Sequence, residues 1–167
     1  MAGVSGEFSP PVPIDAGHDV LGFACGSPTL DDWLKQTALK AEGRSARTYV
    51  VCEADAVIGY HALATGSVMR RDAPGSVRRN MPEPVPMIVI ARLAVATRVQ
   101  GRGIGRGLLR DAMRRALQAS DIVGCRAVLV HAIDQAAADF YAAHGFTAFP
   151  DGSRTMFLHI ETLAASL

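Results

Sequence analysis

The sequence predicts a single α/β (α+β) domain over residues 1–167, and three observations carry that expectation. Short β-branched, apolar runs recur along the chain, while the segments between them place apolar residues at helical spacing. With 167 residues, 49% of them hydrophobic and 20% charged, the chain can bury one core without staples. No apolar run approaches the roughly 20 residues that a membrane span requires, so no membrane association is expected.

The elements follow in order. "MAGVSGEFSPPVPI" is proline-rich and reads as an extended segment supplying an edge strand; it lacks the basic start and continuous apolar core of a secretory leader, so a cytoplasmic location is expected. "CGSPTLDDWLKQTALKAEG" reads as one helix, with Ser27 or Thr29 as cap, proline in the first turn, Asp31 and Asp32 at its positive end and Gly43 as the stop. Leu30, Trp33, Leu34 and Ala38 share a face, which places Trp33 in the core. "RTYVVCE" and "AVIGYHALA" form a hairpin turning at Ala54-Asp55.

From Thr65 to Met87 the chain reads as a long connection with four of its nine prolines and two Arg-Arg pairs, Arg70-Arg71 and Arg78-Arg79. Structureless connections of that length in a compact domain tend to be functional or disordered. "MIVIARLAVA" is a nearly continuous apolar strand and belongs at the sheet centre. A helix follows whose buried stripe is Ile104, Leu108, Leu109, Ala112, Met113, Ala116 and Leu117, with Arg102, Arg106, Arg110 and Arg114 opposite. "RAVLVHAI" is the next central strand, and "DQAAADFYAAHG" a short helix capped by Asp134 and ended by Gly145. "FTAF" and "RTMFLHI" close the chain as strands.

Charge is unevenly distributed. Between Arg70 and Arg126 stand twelve arginines against four acids, a balance of +8, so the remainder carries −7 of the net +1. A basic middle with acidic flanks suits a phosphate-bearing ligand, a nucleic acid, or both. Cys25, Cys52 and Cys125 are odd in number and set among apolar residues, which favours reduced structural thiols over a disulfide framework or a metal site.

The stretch "RVQGRGIGRGLLRDAMRRAL" holds glycine at positions 101, 103, 105 and 107, between a strand and a helix. That arrangement presents free backbone N–H groups and a positive helix end to an anion. A Walker A loop needs Gly-Lys-Ser/Thr, and no lysine lies here; a dinucleotide fingerprint needs a third glycine where Arg106 or Leu108 stands. What the residues do match is Gln100-x-x-Gly103-x-Gly105, preceded by "RLAV" and followed by "GLL", with "FYAAHGF" some 35 residues later.

In these features the chain resembles the GNAT family of acyl-CoA-dependent N-acetyltransferases. The resemblance implies a mixed, mostly antiparallel sheet of six to seven strands, flanked by about four helices and split between its two central strands to hold acetyl-CoA. It implies that Gly101, Arg102, Gly103, Ile104, Gly105 and Arg106 wrap the pyrophosphate with Arg98, that Leu93, Ala94 and Val95 meet the pantetheine arm and acyl carbonyl through their main chain, and that Asp134 adds a cofactor contact. Tyr141, the tyrosine of "FYAAHGF", is then the general acid for the departing thiolate. No general base stands out: His61, His131 and His144 all read as structural, and an α-amine with a pKa near 8 is already partly neutral.

Taken over residues 18 to 160, "HDVLGFACGSPTLDDWLKQTAL", "TYVVCEADAVIGYHALATGSV", "RRNMPEPVPMIVIARLAV", "VLVHAI" and "DFYAAHGF" are similar to the GNAT toxins of bacterial type II toxin–antitoxin pairs. That implies acetylation of the α-amine of aminoacyl-tRNA and arrest of translation, a homodimer, and a cognate antitoxin of ribbon-helix-helix type. Arg70, Arg71, Arg78, Arg79 and Arg92 are the candidate tRNA contacts, through salt-sensitive attraction to the acceptor-stem phosphates. Two departures stand against the pattern: alanine in Gly22-Phe23-Ala24-Cys25, where an acid is expected, and a tail beyond the last strand. A GNAT enzyme for small amines or protein N-termini, and a CoA-binding module without catalysis, are the competing readings.

Overall fold

A computed structural model describes residues 8–167. Of the proline-rich N-terminal reading, the part before Phe8 lies outside the described residues. Seven strands form one mixed sheet in the order β1-β2-β3-β4-β5-β7-β6: β1 (Val12–Pro13), β2 (Arg47–Glu53), β3 (Ala56–Val68), β4 (Val85–Val95), β5 (Ala127–His131), β6 (Thr147–Ala148) and β7 (Thr155–His159). The helices are α1 (Pro28–Gln36), α2 (Ala38–Ala41), α3 (Gly75–Arg78), α4 (Ile104–Ser120), α5 (Gln135–Ala143) and α6 (Ile160–Ser166). Four of these exceed a single turn, as the resemblance implies. Contacts gather into two compact units, one holding the described residues up to Leu63 with Arg92–Ala112, the other Ala64–Ala91 with Met113–Leu167.

In the first unit, β1 is the expected edge strand, pairing Val12 with Val50. The β2–β3 hairpin runs from Arg47↔Leu63 to Glu53↔Ala56 and turns at Ala54, which takes φ +54. Ser27 holds the N-cap position of α1 in extended conformation, but its hydroxyl makes no capping bond. Instead Asp31, in the first turn, reaches back and accepts from the Cys25 amide at 2.9 Å. The single helix expected over this region is broken at Thr37 (φ −122, ψ −34), where a β-branched residue interrupts the run and α2 resumes for one turn. Phe23, Leu34, Val50, Ile58, Tyr60 and Leu108 form the centre of this unit's core.

In the second unit, β4 and β5 pair in parallel from Met87↔Ala127 to Ile90↔Val130; the last residues of β4, Arg92 to Val95, belong to the first unit. β5 pairs antiparallel with β7, and β7 with β6. The expected connection from Thr65 to Met87 is shorter than its sequence suggests. β3 runs on to Val68, alternating exposed Thr65 and Ser67 with half-buried Gly66 and Val68. Gly66 looks like a loop residue but is a packing requirement: a Cβ there would lie 2.6 Å from the Val89 side chain on β4. The remaining connection contains a 3-10 turn at Arg70–Asp72 and α3, fixed inward by buried Ala73 and Val77. These pack with Val85, Met87, Leu129, Phe149 and Phe157.

Helix α5 starts and stops as expected: the Asp134 carboxylate accepts from the Ala137 amide at 2.8 Å, and Gly145 takes φ +96. The tail is a helix that sequence analysis did not anticipate. Ile160 begins α6 instead of ending β7, and Leu163 is fully buried. The three cysteines are free thiols, and among the described residues no helix is long and apolar enough to cross a membrane.

Candidate functional site

The strand-to-helix turn at the end of β4 is built entirely within the first unit. The Ala96 amide donates to Ile58 O on β3 and the Thr97 amide to Ala24 O, each at 2.8 Å, so the chain leaves the sheet on a fixed path. A 3-10 turn over Thr97–Val99 buries Val99. Gln100 then turns back: its side-chain amide donates to Val95 O at 2.9 Å and to Cys25 O at 3.3 Å. The glutamine of the motif therefore pins the loop to the strand and to the segment before α1.

The four glycines divide into two pairs. Gly101 (φ +82) and Gly103 (φ +83) occupy left-handed backbone that L side chains rarely adopt, and a Cβ on either would meet nothing within 4 Å. Gly105 and Gly107 lie inside α4, and a Cβ on Gly105 would make ordinary contact with Val95. Open space over two left-handed glycines, beside the N–H groups of the first turn of a 17-residue helix, is an arrangement that suits an anion. Arg102 and Arg106 flank it and are exposed. The residues present therefore suit a pyrophosphate.

Arg98, expected at the same phosphates, donates to Glu53 Oε1 at 2.9 Å. The pair is about half exposed (56% and 42%), and such surface bridges are worth only about 0–1 kcal/mol, so an incoming phosphate competes with Glu53 easily. Leu93 and Val95 are half-buried and Ala94 buried on the last residues of β4.

Arg92, expected at tRNA, lies over the Trp33 ring of α1, its guanidinium carbon 4.3 Å from the ring centroid. Trp33 in turn stacks on Tyr60, centroids 6.0 Å apart and rings within 11° of parallel. Trp33 is half-buried, a packing residue as expected, yet it also presents a face to a cation. The Tyr60 hydroxyl donates to Leu30 O at 2.7 Å, and burial pushes its pKa far above the phenol range.

His61 is fully buried on β3, with Nε2 2.8 Å from Asp111 Oδ2 on α4 and the Tyr49 ring 5.1 Å away. That ties α4 to the sheet, in line with the structural role expected for His61. His144 Nδ1 donates to Phe140 O at 2.8 Å at the end of α5, and His131 Nδ1 lies 3.0 Å from Thr155 Oγ1.

Tyr141, in the second unit, is 8% exposed and sits edge-on to Phe140 and Phe146. Burial raises its phenol to about 12, so it carries its proton throughout the neutral range. Asp134 is exposed and already engaged as the α5 cap. Of the basic segment, Arg70, Arg71, Arg78 and Arg79 are all exposed. Arg71 makes a long contact to Asp72 (3.9 Å), and the Arg70 amide donates to Glu83 at 2.7 Å.

Two positions here escaped the sequence reading. Gly59, on β3, is pressed against α4: a Cβ would lie 3.0 Å from Leu108 Cδ1 and 3.2 Å from Ile104 Cγ2. A glycine in the interior of an apolar strand is the sign of such close approach. Arg126 carried no local signal, because its partners Ser76 and Val77 lie about fifty residues away in the chain.

A left-handed glycine turn with open space at the start of α4, in a mixed sheet of this order, is the arrangement the resemblance to acyl-CoA-dependent transferases implies. The acetyltransferase (GNAT) domain model matches residues 44–148, and the chain belongs to that family. It is 49% identical over 145 residues to the tRNA-acetylating toxin of Mycobacterium tuberculosis (strain ATCC 25618 / H37Rv), covering 86% of this chain and 87% of that one. Among solved structures, a tyrosine-to-phenylalanine mutant of KacT superposes with a TM-score of 0.89 at 25% identity, over 96% of this chain and 99% of the other. AtaTR bound with acetyl-CoA superposes with a TM-score of 0.82 at 25% identity, over 96% and 98%.

Proposed function

We propose that this protein is a single-domain toxin that transfers the acetyl group of acetyl-CoA to the α-amine of aminoacyl-tRNA and so blocks translation. The observation that carries the reading is the 49% identity, across 86% of the chain, to a relative named for tRNA acetylation. The glycine cradle and the exposed arginine segment support it independently, one as a phosphate seat and the other as a polyanion surface.

Acetyl-CoA supplies a thioester whose carbonyl carbon accepts the amine as the C–S bond breaks. The first-turn amides of α4, with Arg102 and Arg106, hold the pyrophosphate; Arg98 joins them on release from Glu53. Main-chain groups of Leu93, Ala94 and Val95 align the arm and polarise the carbonyl. The free base form of the α-amine attacks and its surplus proton passes to solvent, which requires no dedicated base. Tyr141 delivers the phenolic proton to the departing sulfur; a group held at about 12 is neutral at rest and regains its proton readily. Asp134 contributes by fixing the start of α5, the helix that carries Tyr141.

The protein acts in the cytoplasm, where charged tRNA is found, as a homodimer silenced by a cognate antitoxin of ribbon-helix-helix type. Acetyl transfer to charged and uncharged tRNA, each with labelled acetyl-CoA, tests the central reading. Label on charged tRNA alone supports it; equal label on both, or turnover only on free small amines, overturns it.

A further inference from the structure

The arginine segment is held as a defined surface by one side chain from another part of the chain. Arg126, just before β5, donates from Nη2 to Ser76 O at 2.8 Å and from Nε to Val77 O at 3.2 Å, and its Nη1 donates to Glu161 Oε1 at 3.3 Å. Ser76 and Val77 belong to α3, a single turn whose carbonyls have too few helical N–H groups to satisfy them. A guanidinium fork placed there closes the turn from outside, with favourable charge at a helix C-terminus.

The surroundings make this placement rigid. The Arg126 side chain is only 22% exposed, whereas Glu161 is 85% exposed and contributes a weak surface contact. Val77 and Ala73 anchor the same segment inward. His159 Nε2 lies 3.1 Å from Ser76 Oγ, and burial together with the neighbouring Arg126 charge keeps its imidazole below the usual histidine range. Inward contacts thus fix the turn, while Arg78 and Arg79 at its end, and Arg70 and Arg71 before it, point to solvent.

We infer that Arg126 is a positioning residue for substrate recognition: its fork on the Ser76 and Val77 carbonyls preorganises the Arg70–Arg79 segment for the phosphates of tRNA. The inference rests on the proposed tRNA acetylation. A preorganised cationic surface spends less conformational entropy on binding than a flexible one, and its phosphate contacts form together.

The test uses the full-length protein and charged tRNA, with Arg126→Gln and Arg126→Lys; lysine keeps the charge but cannot span both carbonyls. Both variants are expected to raise KM for tRNA by about tenfold, with kcat and the KM for acetyl-CoA unchanged, and to flatten the dependence of log KM on log salt by about 1–2. Unchanged tRNA KM and salt slope in a folded variant would overturn the positioning role, as would an equal rise in KM for acetyl-CoA. If Arg126→Gln does not fold, Arg126→Lys decides by the same criteria. Wild-type protein is assayed alongside. Absence of wild-type turnover on charged tRNA refutes the proposed function itself, whereas wild-type turnover with unaltered variants refutes only the role of Arg126.

Discussion

Gly59 and Leu108 meet where β3 passes under α4, so closely that a single added carbon on the glycine would lie 3.0 Å from Leu108 Cδ1. The same carbon would lie 3.4 Å from Ala94 O on β4. The first turn of α4, the proposed anion cradle, is therefore seated on a strand position where an added side chain obliges Leu108 and Ile104 to give way. Gly59→Val is expected to cost about 1–3 kcal/mol in urea unfolding, through overpacking, and to raise KM for acetyl-CoA by displacing Ile104 and Leu108. Wild-type cofactor affinity in a folded Gly59→Val protein would refute that seating.

The glycine pairs predict different consequences. Gly103→Ala must place a Cβ at φ +83, a strain of about 1–2 kcal/mol, and puts that carbon in the space proposed for phosphate oxygens. Gly107→Ala, inside α4 with open space around it, is expected to stabilise the protein by about 0.5–1 kcal/mol and leave cofactor affinity unchanged. Thermal unfolding and isothermal titration with CoA distinguish the two.

Among the arginines, Arg102→Ala and Arg106→Ala are each expected to weaken CoA binding by roughly tenfold, the loss of one charge-assisted hydrogen bond. Arg98→Ala is expected to do less, because a bound phosphate must first draw Arg98 from Glu53. Glu53→Gln provides the converse: releasing Arg98 should tighten CoA binding modestly.

The elevated Tyr141 phenol has two readouts. Its folded pKa, about 12, exceeds the unfolded value near 10, so the folded state holds this proton more tightly; the stability this contributes is complete below pH 10 and declines as pH rises from there through about 12. In catalysis kcat/KM should rise as the α-amine loses its proton near pH 8 and then stay level to pH 10, with no descending limb from Tyr141. Tyr141→Phe is expected to lower kcat by 10²-fold or more (roughly) with KM for acetyl-CoA unchanged. Undiminished transfer by that variant would remove Tyr141 as the acid.

The Arg92–Trp33 contact is a stability element that a double-mutant cycle can isolate. With the guanidinium carbon 4.3 Å from the ring centroid, the coupling between Arg92→Ala and Trp33→Leu is expected to be about 0.5–1 kcal/mol. Additive effects of the two changes would show that the stack contributes nothing.

Sequence alone determined the local features of this protein: the edge strand at Val12, the hairpin turn at Ala54, the Asp134 cap, and the glycine turn between β4 and α4. Each depends on residues a few positions apart, so spacing and residue type reveal it. Tertiary structure decided what pairs across long separations. Twelve arginines between positions 70 and 126 look alike in a sequence, yet Glu53 engages Arg98, Trp33 underlies Arg92, and the Ser76 and Val77 carbonyls take Arg126. Likewise Gly59 and Gly66 owe their identity to Leu108 and Val89, side chains brought against them by the fold. A guanidinium's role is set by what stands at the end of its long stem, and a strand glycine's by what crosses above it; neither is a property of neighbouring residues in the chain.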